Sequence, residues 1–522
     1  MTTTLLRVPR RAATAALAGL ALTPLAACGG DEATSAGAGD GLARLAPPTS
    51  IFYAEAAIRP QGDMKADLDA LVAKFAPGQT TEGLVAKAFR DSSDKVDFKR
   101  DIEPWLGERA AVAVTGVQAA GSGDPDVAAL VETTDPEKAL ATVRKGVDGK
   151  LADRSHAGVD YLFDAADKSA AGIVDDTLVG GTEAAFKAVV DASEKGGLSG
   201  NDRYTKVVDA VDDDAFGFLY GDVRRVLELA QRAGPADATP QQLEGIRELF
   251  DRRGVSTFAA GLVATDKAVT LRAAAPTKAG GDAATADAVA ALPAGAWAAL
   301  GLGDLGKSIS EGLDGVKSLA GPGFDVQSGL DQLEQQAGID VQKDLLSWMG
   351  QTGLFARGTS LTDLGGALVV ESKDPAATKA ALAKARTIVA DAGLPAEPLS
   401  GNGIDDGFSV TPGNTPIQVF AALAGNRFVL AIGRPALDAA INPAGKLGDD
   451  ASFKAAAELL GEGMRPTFFL DFPKVSGLIG LAASGQPSYA EAKRYLDRIT
   501  TITAGSKREG DLQLQSFVVG IR

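Results

Sequence analysis

One seven-residue pattern occurs twice in this chain, 243 residues apart, and it constrains the fold more than any other feature. The first copy is Asp101-Ile102-Glu103-Pro104-Trp105-Leu106-Gly107. The second is Asp344-Leu345-Leu346-Ser347-Trp348-Met349-Gly350. Each is Asp, an aliphatic residue, two variable residues, Trp, Leu or Met, then Gly. The flanks repeat as well: Val131-Glu132 followed by Asp135-Pro136 is matched by Val370-Glu371 followed by Asp374-Pro375. Pro48–Phe52 is matched by Pro293–Trp297, Phe218–Tyr220 by Phe468–Asp471, and Ala260-Gly261 by Ala504-Gly505. A repeat this long means two duplicated domains rather than a solenoid.

The local patterns set the class of each half. Ile51–Ile58 reads as a strand, and Asp63–Phe75 has apolar residues at helical spacing. Asp101–Gly107 reads as a short helix that Gly107 caps at its C-terminus. Strands are expected at 110–114, 127–132, 159–163, 171–174 and 177–179, with Asp175-Asp176 turning between the last two. Asp135 and Asp374 are placed to cap helices that carry Pro at their first position. Strands clustered in hairpins with helices between them predict an α+β fold: two tandem homologous halves, each a largely antiparallel sheet with packed helices. The expected division is a first repeat at 45–276, a joint at 277–291 and a second repeat at 292–522.

The N-terminus carries a different signal. Arg7, Arg10 and Arg11 precede an apolar run, Ala12–Ala27, which is too short to span a bilayer. It ends in Leu25-Ala26-Ala27-Cys28, a lipobox pattern whose Cys is the only one among the 522 residues. Residues 1–27 therefore read as a lipoprotein signal peptide and Cys28 as the lipid attachment point, the acyl chains including palmitate. Residues 28–44 read as a flexible Gly-rich tether, and the folded part is expected on the extracytoplasmic face of the cell membrane. Loss of the leader leaves 49 basic residues against 68 acidic ones, deepening the net charge from −16 to −19. Such a chain repels nucleic acid. A single Cys excludes an intrachain disulfide.

The lipobox, the stretch Leu45–Tyr53 leading into the first strand, Trp105-Leu106-Gly107 and Val131-Glu132 with Asp135-Pro136 together resemble the secreted actinobacterial proteins grouped as domain of unknown function 3352. The resemblance covers most of residues 45–522. It implies envelope location and this fold, and it brings no catalytic residues.

Gly301-Leu302-Gly303-Asp304-Leu305-Gly306-Lys307-Ser308 satisfies a P-loop pattern, in which Gly301, Gly306, Lys307 and Ser308 would hold phosphate and magnesium. Asp304 places a negative charge in that loop. The first half is expected to carry Ala56, Ile58 and Gln61 at the three glycine positions. Gly301–Ser308 therefore reads as a chance match in a strand-to-helix connection, with no nucleotide. His156 reads as a solvated residue in a polar turn. Ser92-Ser93-Asp94-Lys95 lacks the partners of a Ser-x-x-Lys enzyme. Asp212-Asp213-Asp214, Asp405-Asp406 and Asp449-Asp450 lack calcium-loop spacing and read as helix ends and turns, so no metal or other cofactor is expected. Trp105 and Trp348 read as core residues. The expected role is a non-catalytic binding or structural module for an envelope protein, glycan or lipid. The alternatives are an envelope hydrolase and a carrier of a hydrophobic ligand.

Overall fold

The computed structural model describes residues 41–84, 96–117, 125–147, 149–211, 214–233, 240–278, 283–319, 334–335, 338–360, 363–413, 417–483 and 485–522. The expected signal peptide, Cys28, most of the expected tether, Ser92–Lys95 and Asp212-Asp213 lie outside these residues. The chain divides into a first unit, residues up to Ala236 with Phe250–Lys278, and a second, Asp237–Leu249 with Ala279–Arg522. Among the described residues no helix is long and apolar enough to cross a membrane.

The first unit contains β1 (Phe52–Ala57), β2 (Leu106–Val117), β3 (Pro125–Thr133), β4 (Leu151–His156), β5 (Val159–Asp164), β6 (Ser169–Val174), β7 (Thr177–Thr182), β8 (Ala215–Asp222), β9 (Thr257–Ala264) and β10 (Ala268–Pro276). Their pairings give the order β10-β9-β8-β1-β2-β3-β7-β6-β5-β4, antiparallel throughout. The second contains β11 (Ala298–Asp304), β12 (Met349–Arg357), β13 (Gly365–Ser372), β14 (Ala396–Pro398), β15 (Asp406–Val410), β16 (Val419–Ala424), β17 (Arg427–Ile432), β18 (Arg465–Asp471), β19 (Ile499–Glu509) and β20 (Leu512–Ile521). Its order is β20-β19-β18-β11-β12-β13-β17-β16-β15-β14, again antiparallel. Strand for strand, the two sheets have one topology. The α+β class with antiparallel sheets is as the sequence predicted.

The duplicated heptapeptide builds the same device in each unit. The Asp97 carboxylate accepts from Arg100 N at 2.9 Å, and that of Asp101 accepts from Asp97 N at 2.9 Å. Asp340 and Asp344 do the same with Lys343 N and Asp340 N, also at 2.9 Å each. These reciprocal bonds satisfy amides that a helix start leaves without partners. The turn is wider than an α-turn, closing Glu103 N on Phe98 O and Ser347 N on Gln342 O. It returns the Trp indole onto the turn itself: Trp105 Nε1 donates to Asp101 O at 2.6 Å and Trp348 Nε1 to Asp344 O at 2.9 Å. Lys145 and Lys384 clamp Asp101 and Asp344 from the following helix, each at 2.6 Å. Both rings are 2% exposed. Asp135 caps Pro136–Gly146 through Lys138 N, and Asp374 caps Pro375–Asp391 through Ala376 N and Ala377 N.

Gly107 is not a helix cap. It is the second residue of β2, and a Cβ there would lie 2.6 Å from the Glu132 Cβ. At Gly350 a Cβ would lie 2.8 Å from Glu371 O. The repeated glycine therefore lets one strand's backbone close on the next. His156 ends β4, opposite Val159, rather than sitting within a turn, because Ala157-Gly158 make the reversal at positive φ. Part of the expected joint, Ala283–Ala290, is a helix that buries Ala286 and Val289. Alanine's high helix propensity and the i, i+3 spacing of those two side chains account for it. With Phe355, Phe420, Val429 and Phe469, Val289 belongs to the main core of the second unit.

Residues 42–44, counted by composition with the tether, form a buried turn that straps the first unit. Leu42 is 1% exposed, and Ala43, Leu45 and Ala46 are 0%. Ala46 O accepts from Leu198 N at 2.7 Å, and Arg44 pairs with Asp175 at 3.0 Å. Gly197, at φ +57°, leaves no room for a side chain against the Arg44 carbonyl.

Candidate functional site

The strand registers shift the alignment of the two halves by one residue from the sequence match. Phe52 pairs with Gly221 and Ala298 with Leu470, and the next residue in each case, Asp222 or Asp471, donates its amide to Ile51 O or Trp297 O. Ala298 therefore stands at Phe52, and Gly301 at Glu55 rather than at Ala56.

At that position the two units differ, with Glu55 in the first and Gly301 in the second. Glu55 is buried, its side chain 1% exposed, and it pairs with Arg109 Nη1 and accepts from the Tyr53 hydroxyl. Burial pushes the Glu55 carboxyl up, and the Arg109 charge and the Tyr53 hydroxyl pull it back. Burial and the Glu55 charge raise Tyr53 well above a phenol's ordinary value. Glu132 is also raised by burial, against the amide and charge of Arg109. Perturbed acids mark candidate functional sites when they face a cleft. Glu55 faces none: a Cβ on Gly41 would collide with its Oε1, so the strap seals it. The arrangement is a buried ion pair in a packed core.

Gly301 belongs to β11 and the helix begins at Leu305, so the P-loop look-alike is a strand running straight into a helix. A Cβ at Gly301 would meet Thr285 and Val289, and one at Gly306 would strike Leu346 O. Asp304 accepts from Lys307 N at 3.0 Å and from Lys373 at 2.9 Å, occupying the helix-start amide that a phosphate would need. Lys307 points to Glu311 at 3.7 Å. His156 Nε2 lies 2.8 Å from Asp191 Oδ1 on an exposed surface. Asp405 and Asp450 accept the turn amides of Gly425 and Gly295, and Asp406 pairs with Arg386. Among the described residues no cluster of acids, His or Cys could hold a metal ion.

A cavity of about 260 Å³ opens on the core face of the second unit. Its apolar lining comes from Gly353 and Val369 on the strands, from the stretch that includes Ala291, Leu292 and Pro293, and from Ala440. Gln351, Glu371, Asn426 and Arg427 supply its polar groups. Glu371 and Arg427 are direct cross-strand partners on β13 and β17. Arg427 Nη1 donates to Ala440 O at 2.8 Å. Gln351 Oε1 is buried without a hydrogen-bond partner. The sequence reading missed these groups. Glu371 was visible as half of a repeated pair, but its opposition to Arg427 depends on a register formed only after folding.

No curated protein matches the chain. Solved structures similar to parts of it include crystal forms I and III of TP0453, at 12% and 10% identity and TM-scores of 0.26 and 0.25. These matches cover 46% and 48% of this chain and 80% and 83% of those. A family model described as a protein of unknown function matches residues 82–518. With that match spanning most of its length, the chain belongs to the domain of unknown function 3352 family.

Proposed function

We propose that this is a lipid-anchored envelope protein that binds a small ligand in the cavity of its second unit and catalyses no reaction. The cavity carries the ligand reading: it is concave, walled by apolar residues and equipped with a few convergent polar groups, which is how small-molecule sites are built. Leu25-Ala26-Ala27-Cys28 carries the anchoring reading, with the folded part on the extracytoplasmic face. Ala291 is exposed at the cavity wall, so Ala291→Trp fills the space without entering the core. Native mass spectrometry of protein purified from its own envelope should show an added small mass that Ala291→Trp loses. A mass retained in that variant places the ligand elsewhere and defeats the reading. Cys28→Ala should shift the protein from the membrane fraction to the medium or leave it unprocessed. Mature-sized protein still in the membrane fraction would defeat the anchor.

A second reading, a carrier of a hydrophobic ligand, is favoured by an exposed row on the second unit. Leu354, Leu368 and Leu430 are in register across β12, β13 and β17, with Leu354 43% and Leu430 42% exposed. Lipid recovered by solvent extraction of the purified protein would favour that reading.

A further inference from the structure

We infer that the cavity of the second unit takes one small zwitterion, of amino-acid to dipeptide size and with short aliphatic side chains. The inference rests on the ligand-binding reading above and adds the chemistry of the ligand. Opposite charges placed directly across two strands ordinarily pair. Glu371 and Arg427 hold that position and, among the described residues, form no ion pair. Arg427 is drawn instead to Ala440 O, and its other N–H groups have no protein partner among the described residues. The Glu371 carboxylate, on an exposed residue at the cavity, has no hydrogen-bond or ion-pair partner among them either.

The charges select the ligand. A lone anion would satisfy Arg427 and face Glu371, and a lone cation would do the reverse. A molecule with both an ammonium and a carboxylate satisfies both, its ammonium on Glu371 and its carboxylate on Arg427. About 260 Å³ lies just below the ~300–1,000 Å³ range of sites for drug-sized ligands, which suits a dipeptide or smaller. Leu292, Pro293 and Val369 offer apolar surface to methyl-sized side chains.

The first unit lacks this arrangement. There Thr177 stands opposite Glu132 where Arg427 stands opposite Glu371, and Glu132 is engaged by Arg109 N at 3.0 Å. The chain should therefore bind one zwitterion rather than one per unit.

The test is calorimetric titration of the full-length mature protein with alanyl-alanine, its N-acetyl form, its C-terminal amide and the doubly capped form. The expected result is one site per chain, with each single cap weakening binding on the order of tenfold or more, about 1.4 kcal/mol. Glu371→Gln should weaken the free dipeptide at unchanged melting temperature, because the carboxylate it replaces holds nothing in the protein. Arg427→Gln should weaken it more. Equal binding of the doubly capped form, abolished by Ala291→Trp, overturns the zwitterion while leaving the cavity as a ligand site. No binding of any form at millimolar concentration overturns the zwitterion, and the envelope-purified mass then decides the broader reading separately. Two sites per chain also overturn it.

Discussion

Arg109→Met isolates the cost of the buried carboxylate in the first unit. Arg109 is 22% and Glu55 1% exposed at the side chain, so removing the guanidinium leaves a desolvated carboxylate with only the Tyr53 hydroxyl. Breaking a buried pair from one side costs about 3–5 kcal/mol, whereas replacing both charges costs far less. Glu55→Gln with Arg109→Met keeps an acceptor for Tyr53 and should return to within about 1–2 kcal/mol of wild type. The pH dependence follows from the direction of the Glu55 shift. The folded state holds this proton more tightly than the unfolded chain, whose carboxyl titrates near about 4.3. Stability from protonated Glu55 is thus present below that value and is lost as pH rises through the raised folded value. Arg109→Met raises it further, so the variant should be weakest at neutrality and recover on acidification. Urea denaturation of the three proteins near neutrality and near about pH 5 measures this. A loss in Arg109→Met that is independent of pH, or a double variant as unstable as the single, would refute the argument.

Trp105→Ala and Trp348→Ala should each cost on the order of 3–5 kcal/mol by denaturant unfolding, since both rings fill core space. Near-wild-type stability in either would remove that ring from the core. Gly197→Ala should cost more than about 1 kcal/mol, because its backbone is left-handed and a Cβ meets the Arg44 carbonyl. Limited proteolysis should then cut within residues 41–46, and an uncut strap contradicts the packing. Magnesium and ATP should leave the melting temperature unchanged in wild type and in Lys307→Ala. A bound ligand at about 100 times its dissociation constant would add about 2.7 kcal/mol, a rise that is easily seen.

What the sequence disclosed was local chemistry or identity between copies. Asp135-Pro136 and Asp374-Pro375 announce helix starts because cap and first-turn proline act within four residues. The two Trp turns were visible because the same side chains recur. Gly107 misled because a glycine after a helical pattern resembles a C-cap, and only the distant Glu132 backbone gives its actual reason. The one-residue shift between halves was invisible in the Pro-x-x-x-aromatic match. It mattered, since a shift of one exchanges the faces of a strand and moved Gly301 onto Glu55. Arg427 and Gln351 carry no local signal, and Glu371 only its place in a repeated pair, because strand pairing alone brings them to one cavity.

The strap also sets how far this protein's N-terminus can be trimmed. Cleavage ahead of Gly41 removes no side chain from the described core of the first unit and leaves Leu42, Ala43 and Leu45 seated. Cleavage a few residues further on withdraws Leu42 and uncovers the carboxylate beneath Gly41. A sheddase or a trimming exopeptidase therefore meets a boundary set by burial rather than by sequence preference. On one side of it the buried strap stays in place. On the other, trimming opens the core of the first unit.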